Sequence, residues 1–245
     1  MNHVSSVALI TGSAQRIGAS IARYLHQRGW SLALHARHSV TQLQALADEC
    51  NAQRRGSALA LTADLRDISR LPCLIAQTVD HFGRLDGLVN NASCFFPTPL
   101  GQIHADQWAE LFTVNAQAPL FLAQAAAPYL KQHAGAIVNI SDLYASTPLR
   151  DHAVYCAAKA ALEAITRSLA VELAPHVRVN AIAPGAILWP DSGKSHAEQH
   201  ALLARTPLAR LGTTDEIAAA VHWLLCEAGY MSGQVVRLDG GRLLS

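Results

Sequence analysis

Tyr155 and Lys159 stand four residues apart in YCAAK, at the start of an alanine-rich stretch of helical character. That spacing sets both side chains on one helical face. A phenol with an ordinary pKa of about 10 is a poor proton donor or acceptor at neutrality; an adjacent ammonium favours the phenolate and brings the group nearer to use. Asp142, in NISDLY, lies thirteen residues before Tyr155 and adds a carboxyl group. Together the three describe a proton-transfer site. Taken singly, Tyr155 and Lys159 are also the pattern of a surface i,i+4 pair, and Asp142 that of a helix cap or turn residue.

A second set of residues follows the first apolar run. The segment TGSAQRIG carries Gly12, Arg16, Ile17 and Gly18 between a strand-like VALI and a helical pattern. A glycine turn of this kind lets backbone N–H groups and a helix N-terminus face a phosphate. Two glycines at a turn are equally a plain tight turn, but the first strand–helix turn of an α/β chain is where dinucleotides bind. The end of the second apolar run reads LHARHS, with Arg37, His38 and Ser39 and no acid from Ser31 to Gln44. An NAD site places a carboxylate there to hold the ribose 2′-hydroxyl, whereas Arg37 and Arg16 suit a 2′-phosphate. The expectation is NADPH in preference to NADH.

These residues need a frame. Apolar runs at 7–11, 31–35, 58–63, 87–90, 136–140, 177–183 and 235–238 read as strands, and helical patterns cover 16–29, 40–53, 67–82, 105–132, 153–173 and 214–227. Most of the strands are continuous apolar runs, as parallel strands buried on both faces require. Strand–helix alternation from end to end implies one Rossmann-like, doubly wound parallel α/β sheet of about seven strands with helices on both faces, a single domain over 1–245. Residues 184–206 form the one long irregular stretch, expected to be a substrate loop.

Composition narrows the function. The 245 residues are 51% apolar and 15% charged, with a formal net charge of +1. A near-neutral balance without a basic cluster argues against nucleic acid, and no run reaches the roughly 18 apolar residues of a membrane span. The N-terminal segment reads as a strand, not a signal peptide. Five cysteines without a CxxC pair suit a reducing, cytoplasmic compartment and no zinc site, and the twelve histidines show no HExxH spacing. Cys94 and Cys156 are read as packing residues, His38 as the one histidine near a ligand, and Trp30, Trp108 and Trp223 as core or interface. A charge fraction below the roughly 25% of ordinary chains, with small apolar helices at 105–132 and 153–173, points to a homo-oligomer.

As a set, TGxxxxxG, NNA at Asn90–Ala92, Asn115, the YxxxK pair and Pro184–Gly185 resemble the short-chain dehydrogenase/reductases, over nearly the whole chain to SGQVVRLDGG. The resemblance implies a homotetramer or homodimer, NAD(P)H in an extended cleft and hydride transfer. It makes Lys159 a holder of the nicotinamide ribose and Asn115 a support for a proton relay, sets Asp64 and Leu65 against the adenine, and lines the cofactor with Asn91, Ala92 and Ser93.

Three departures are informative: Arg16 replaces the middle glycine of the first turn, Asp142 the serine thirteen residues before the tyrosine, and Ser93 the glycine after NNA. All three, with NNASCFFPTPL, look like the pteridine reductase branch. That likeness implies Phe95 stacked on a pterin, Ser93 touching cofactor and substrate, and Trp189, in place of a threonine after PG, walling the substrate pocket. Chemistry agrees. A carboxylate at 142 would repel the oxyanion of a reduced ketone, whereas a pterin C=N bond takes hydride at carbon and needs a proton on nitrogen. Burial would raise the Asp142 pKa, while Lys159 and the oxidised cofactor would lower it. The expected activity is NADPH-dependent reduction of dihydropterin to tetrahydropterin (dihydrobiopterin, with oxidised pterins or dihydrofolate as further substrates), Asp142 and Tyr155 delivering the proton. The alternatives are a carbonyl reductase of the same fold acting on 3-oxoacyl carriers or steroids, and a non-catalytic NADPH-binding regulator.

Overall fold

Strand β1 (Val7–Ile10) shows how the sheet is built. Val7 and Leu9 face one apolar layer and Ala8 and Ile10 the other, and all four are buried. A strand covered on both faces has no polar side to show, hence its unbroken apolar run. β2 (Ser31–Ala36), β3 (Ala58–Thr62), β4 (Gly87–Asn90), β5 (Ala136–Ile140), β6 (Arg178–Pro184) and β7 (Val235–Leu238) complete one sheet. Its order is β3-β2-β1-β4-β5-β6-β7, every pair parallel. The computed structural model describes residues 5–189 and 195–244. Each expected strand lies within one residue of its predicted ends.

One helical layer holds α1 (Arg16–Gln27), α2 (Val40–Gln53) and α8 (Thr214–Cys226), packed with Leu32, Leu34 and Val138. The other holds α3 (Leu71–Phe82), α5 (Ala118–Gln132) and α6 (Ala153–Glu172), packed with Leu88, Ile137 and Val179. The strand order reverses between β1 and β4, and such a switch point opens a crevice at the carboxyl ends of the strands. The first turn, the end of β4 and the end of β5 all reach that edge.

Three expectations change. The helix expected over 105–132 is α4 (Ala105–Phe112), a π-helical turn over Thr113–Gln117, then α5. Asn115 gives the reason: its Nδ2 donates to the Leu111 carbonyl at 2.9 Å and to the Cys94 carbonyl at 2.9 Å, so a side chain occupies the helix ladder and the turn widens. The helix expected from 67 opens as a 3₁₀ turn over Ile68–Arg70 before α3. The stretch 184–206 is not wholly irregular, since it contains α7 (His196–Ala204); its residues 190–194 lie outside the described residues. Trp30 is core, and Trp108 and Trp223, 50% and 38% exposed, lie on the surface of the chain, which leaves them the interface side of the expectation. Among the described residues no helix is long and apolar enough to cross a membrane.

Candidate functional site

The first turn is tied down from behind. Thr11 Oγ1 accepts the backbone N–H groups of Asn91 and Ala92, each at 3.0 Å, and Asn91 Nδ2 donates to the carbonyls of Thr11 and Gly12 at 2.9 Å. Gly12, at φ +63°, passes so close to β4 that a Cβ would stand 2.8 Å from Ala92 Cα. A Cβ on Gly18 would drive into the Gly12 carbonyl and Asn91 Nδ2. The space a side chain would fill is thus given to backbone. Arg16 also has a left-handed backbone (φ +54°), strained for an L side chain.

In front of this turn lies a cavity of about 490 Å³. Gly12, Arg16, Ile17, Gly18, Arg37, His38, Ser39, Asp64, Leu65, Asn91, Ala92 and Ser93, all expected at the cofactor, line it together. Arg37 Nε donates to His38 Nε2 at 2.6 Å, and Arg37 Nη1 lies 3.9 Å from both Asp64 and Glu110. Asp64 is gripped by Arg66 at 2.7–3.1 Å, and that bond holds its carboxyl below the ordinary range. The glycine cradle and the N-terminus of α1 fit a dinucleotide, with the Arg37 guanidinium in the same cavity, whereas Arg16 Nη2 donates to the Trp189 carbonyl at 3.4 Å.

A second cavity of about 500 Å³ shares Arg16, Ile17, Asn91 and Ser93 with the first, so the two make one cleft. Here stand Phe95, Asp142, Tyr155, Lys159, Pro184, Gly185 and Trp189. Asn115 lines neither cavity; it is 1% exposed and sits behind Ser93, whose Oγ donates to Asn115 Oδ1 at 2.6 Å. With Nδ2 spent on two backbone carbonyls, the amide can offer Ser93 only an acceptor.

Asp142 serves both readings that its sequence position allowed. Oδ1 accepts the Tyr144 N–H at 2.9 Å as the cap of a 3₁₀ turn over Leu143–Ala145, while Oδ2 accepts the Tyr155 hydroxyl at 2.7 Å. The expected pull of Lys159 on Tyr155 is overturned. Burial, then the Asp142 charge and its hydrogen bond, hold the phenol far above the usual range, with Ser93 opposing weakly. Lys159 Nζ lies 5.8 Å from the Tyr155 ring centroid and donates to the Ile140 carbonyl at 2.9 Å. Burial brings its own pKa down to about 8, against the attraction of Asp142.

Phe95 is half exposed. Its ring is stacked on His152 (4.5 Å, 16°) and meets the Tyr155 ring edge-on at 4.7 Å. His38 is therefore not the one histidine at the cleft, since His35 and His152 reach it as well. His35 was legible as the residue two before Arg37, on the same strand face. Glu110 and Arg242 also line the cleft without a local signal, because their elements arrive from distant sequence, and Tyr144 lines it two residues beyond Asp142. Cys94 is a half-buried thiol that desolvation pushes up to about 11, and the buried Cys156 accepts the Leu149 N–H. Both read as packing.

Comparison with known proteins matches residues 12–242 to a family model described as enoyl-(acyl carrier protein) reductase. Pteridine reductase 1 of Leishmania tarentolae is 36% identical over 280 aligned positions, covering 98% of this chain and 96% of that protein. The 3-oxoacyl-(acyl-carrier-protein) reductase FabG of Staphylococcus aureus is 33% identical, covering 96% of each chain. An oxidoreductase of Escherichia coli, YohF, is 33% identical over 99% of this chain and 97% of its own length.

Proposed function

The chain belongs to the short-chain dehydrogenase/reductase family of nicotinamide-dependent oxidoreductases, and within that family we propose that it is an NADPH-dependent pteridine reductase. The single observation that carries this reading is the direction of the Tyr155 hydroxyl bond. Its proton is given to Asp142 Oδ2, so the Tyr155 oxygen turns lone pairs toward the cleft. A ketone oxygen offers only lone pairs in return. A heterocycle that gains a proton on nitrogen suits an acid–phenol pair.

NADPH would be held by the Gly12–Gly18 turn, by Arg16, Arg37, His38 and Ser39 at the 2′-phosphate, by Asp64 and Leu65 at the adenine, and by Asn91, Ala92, Ser93, Lys159, Pro184 and Gly185 toward the nicotinamide. Bound there, it supplies the hydride. The residues of this chain govern the proton. In the step the Tyr155 hydroxyl turns from Asp142 Oδ2 to the substrate nitrogen and gives it the proton, and a proton taken from solvent and passed over the Asp142 carboxyl restores the phenol. The high affinity of Tyr155 for its proton keeps the relay from stalling as a phenolate. Lys159, sealed at 2% exposure, keeps a positive charge behind the pair and stabilises the ionised Asp142. Phe95, backed by His152, gives a flat face for stacking. Trp189 lines the same cavity. Exposed Trp108, Val171, Leu208 and Tyr230 support assembly of several copies, as a homotetramer or homodimer.

The second reading, a 3-oxoacyl reductase, has the identity to FabG and the family model in its favour. NADPH oxidation measured side by side with dihydrobiopterin, dihydrofolate and an acetoacetyl thioester separates the two. Consumption with dihydrobiopterin and little with the thioester is expected; faster turnover of the thioester overturns the pterin reading.

A further inference from the structure

His35, near the end of β2, is 1% exposed and has no part in the chemistry above, yet it grips the phosphate turn at three points. Its carbonyl accepts the Ser13 N–H at 2.8 Å and the Ser13 hydroxyl at 3.3 Å. Its ring meets the Gly12 N–H through Nδ1 at 3.4 Å and the Ala63 carbonyl, just past β3, through Nε2 at 3.1 Å. Those two partners fix the ring proton. An N–H can only donate, so Nδ1 accepts; a carbonyl can only accept, so Nε2 carries the hydrogen. The neutral Nε2–H tautomer alone satisfies both, and Gly12 has no side chain with which to hold its own place.

We propose that His35 is a positioning residue for the dinucleotide: its neutral ring turns the Gly12 and Ser13 peptides toward β2, leaving residues 14–18 to face the phosphates. The inference rests on the cleft being the cofactor site. Protonation of the ring would set an N–H on Nδ1 against the N–H of Gly12, and the turn would lose its anchor. Burial holds the ring below the ordinary histidine range, opposed by the Ala63 bond and by the Asp64 carboxylate, the charged group beside it; Gly12, Ser13 and Ala63 bring no charge. Cofactor affinity is therefore present at neutral pH and is lost as pH falls through that lowered value. Because the turn serves the phosphates common to both dinucleotides, NADPH and NADH are affected alike, unlike any change at Arg37.

The test is direct titration of NADPH and NADH, by nicotinamide fluorescence, into the wild type, His35→Asn and His35→Gln, with kcat and KM measured in parallel. Asparagine places an oxygen near the position of Nδ1 and keeps the Gly12 contact. Glutamine reaches the Ala63 carbonyl and loses it. Asparagine should hold both dissociation constants within about twofold of wild type and flatten the acid limb of the binding profile. Glutamine should raise both by about 3- to 10-fold, the worth of one neutral hydrogen bond, with kcat little changed. Equal loss in the two variants, or an effect on NADPH alone, overturns the inference. The ring nitrogens of wild-type protein, read by ¹⁵N NMR, should show the Nε2–H tautomer at neutral pH; an Nδ1–H tautomer or an imidazolium refutes it whether or not the variants fold. If the wild type binds neither dinucleotide, the cofactor reading itself falls, and this inference with it.

Discussion

Replacing Asp142 with asparagine exchanges one carboxylate oxygen for an amide nitrogen, and both oxygens are in use. Oδ1 holds the Tyr144 N–H at 2.9 Å and Oδ2 the Tyr155 hydroxyl at 2.7 Å. An amide has one acceptor for these two donors. The Tyr144 N–H is fixed in the backbone of the 3₁₀ turn, whereas the Tyr155 hydroxyl rotates about its C–O bond. The amide oxygen therefore stays with Tyr144, the nitrogen donates to Tyr155, and the Tyr155 proton swings into the cleft. The structural cost is a charge-assisted bond exchanged for a neutral one, about 1 kcal/mol. In a chain of this size that lowers Tm by roughly 2–4 °C. The chemical consequence is larger. The pair can no longer take in a proton and pass it on, and loss of general acid catalysis slows the step by about 10²- to 10⁴-fold. Dihydrobiopterin turnover should fall by that factor in kcat with little change in KM, while turnover of an acetoacetyl thioester rises, because Tyr155 now offers a donor to a ketone. Steady-state NADPH oxidation with both substrates, alongside a thermal melt, measures all three effects. Dihydrobiopterin turnover equal to wild type in a folded Asp142→Asn enzyme would refute the reasoning.

Arg37→Gln should raise the KM for NADPH about tenfold, by loss of a charge-assisted contact, and leave that for NADH unchanged; parallel saturation curves with the two cofactors decide it. Phe95→Ala should raise the KM for dihydrobiopterin by about 2- to 10-fold, the worth of one aromatic stack, with NADPH affinity intact; an unaltered KM makes Phe95 a loop residue packed on His152. The buried Lys159, held down at about 8, binds fewer protons in the folded than in the unfolded chain between that pH and the ordinary lysine range of about 10.4. Its contribution to stability accordingly rises with pH across that window and is lost as pH falls through about 8, while activity, which needs the ammonium, declines on the way up. Denaturant melts of wild type and Lys159→Met across pH 7–10 should show the slope in the first and not the second.

The fold was legible because its signals are local. Strands buried on both faces have to be continuous apolar runs, and all seven were read to within a residue. The i,i+4 spacing of Tyr155 and Lys159, the glycines at 12 and 18 and the arginines at 16 and 37 likewise carry their meaning in near neighbours. Asn115 shows where that stops: nothing in TVNAQ announces a π turn, because the carbonyl that draws the amide across belongs to Cys94, twenty-one residues away. Spacing placed Tyr155 beside Lys159, but the distances of the folded chain gave its proton to Asp142 and sent Lys159 to the Ile140 carbonyl. His35 could be seen in the second strand, but its tautomer depends on a glycine N–H and a carbonyl from two other elements. Residue types and their spacing determined what chemistry this chain has available. The direction of each hydrogen bond, and so which group donates and which accepts, was decided only in three dimensions, since a donor acquires its direction from a partner that sequence does not place beside it.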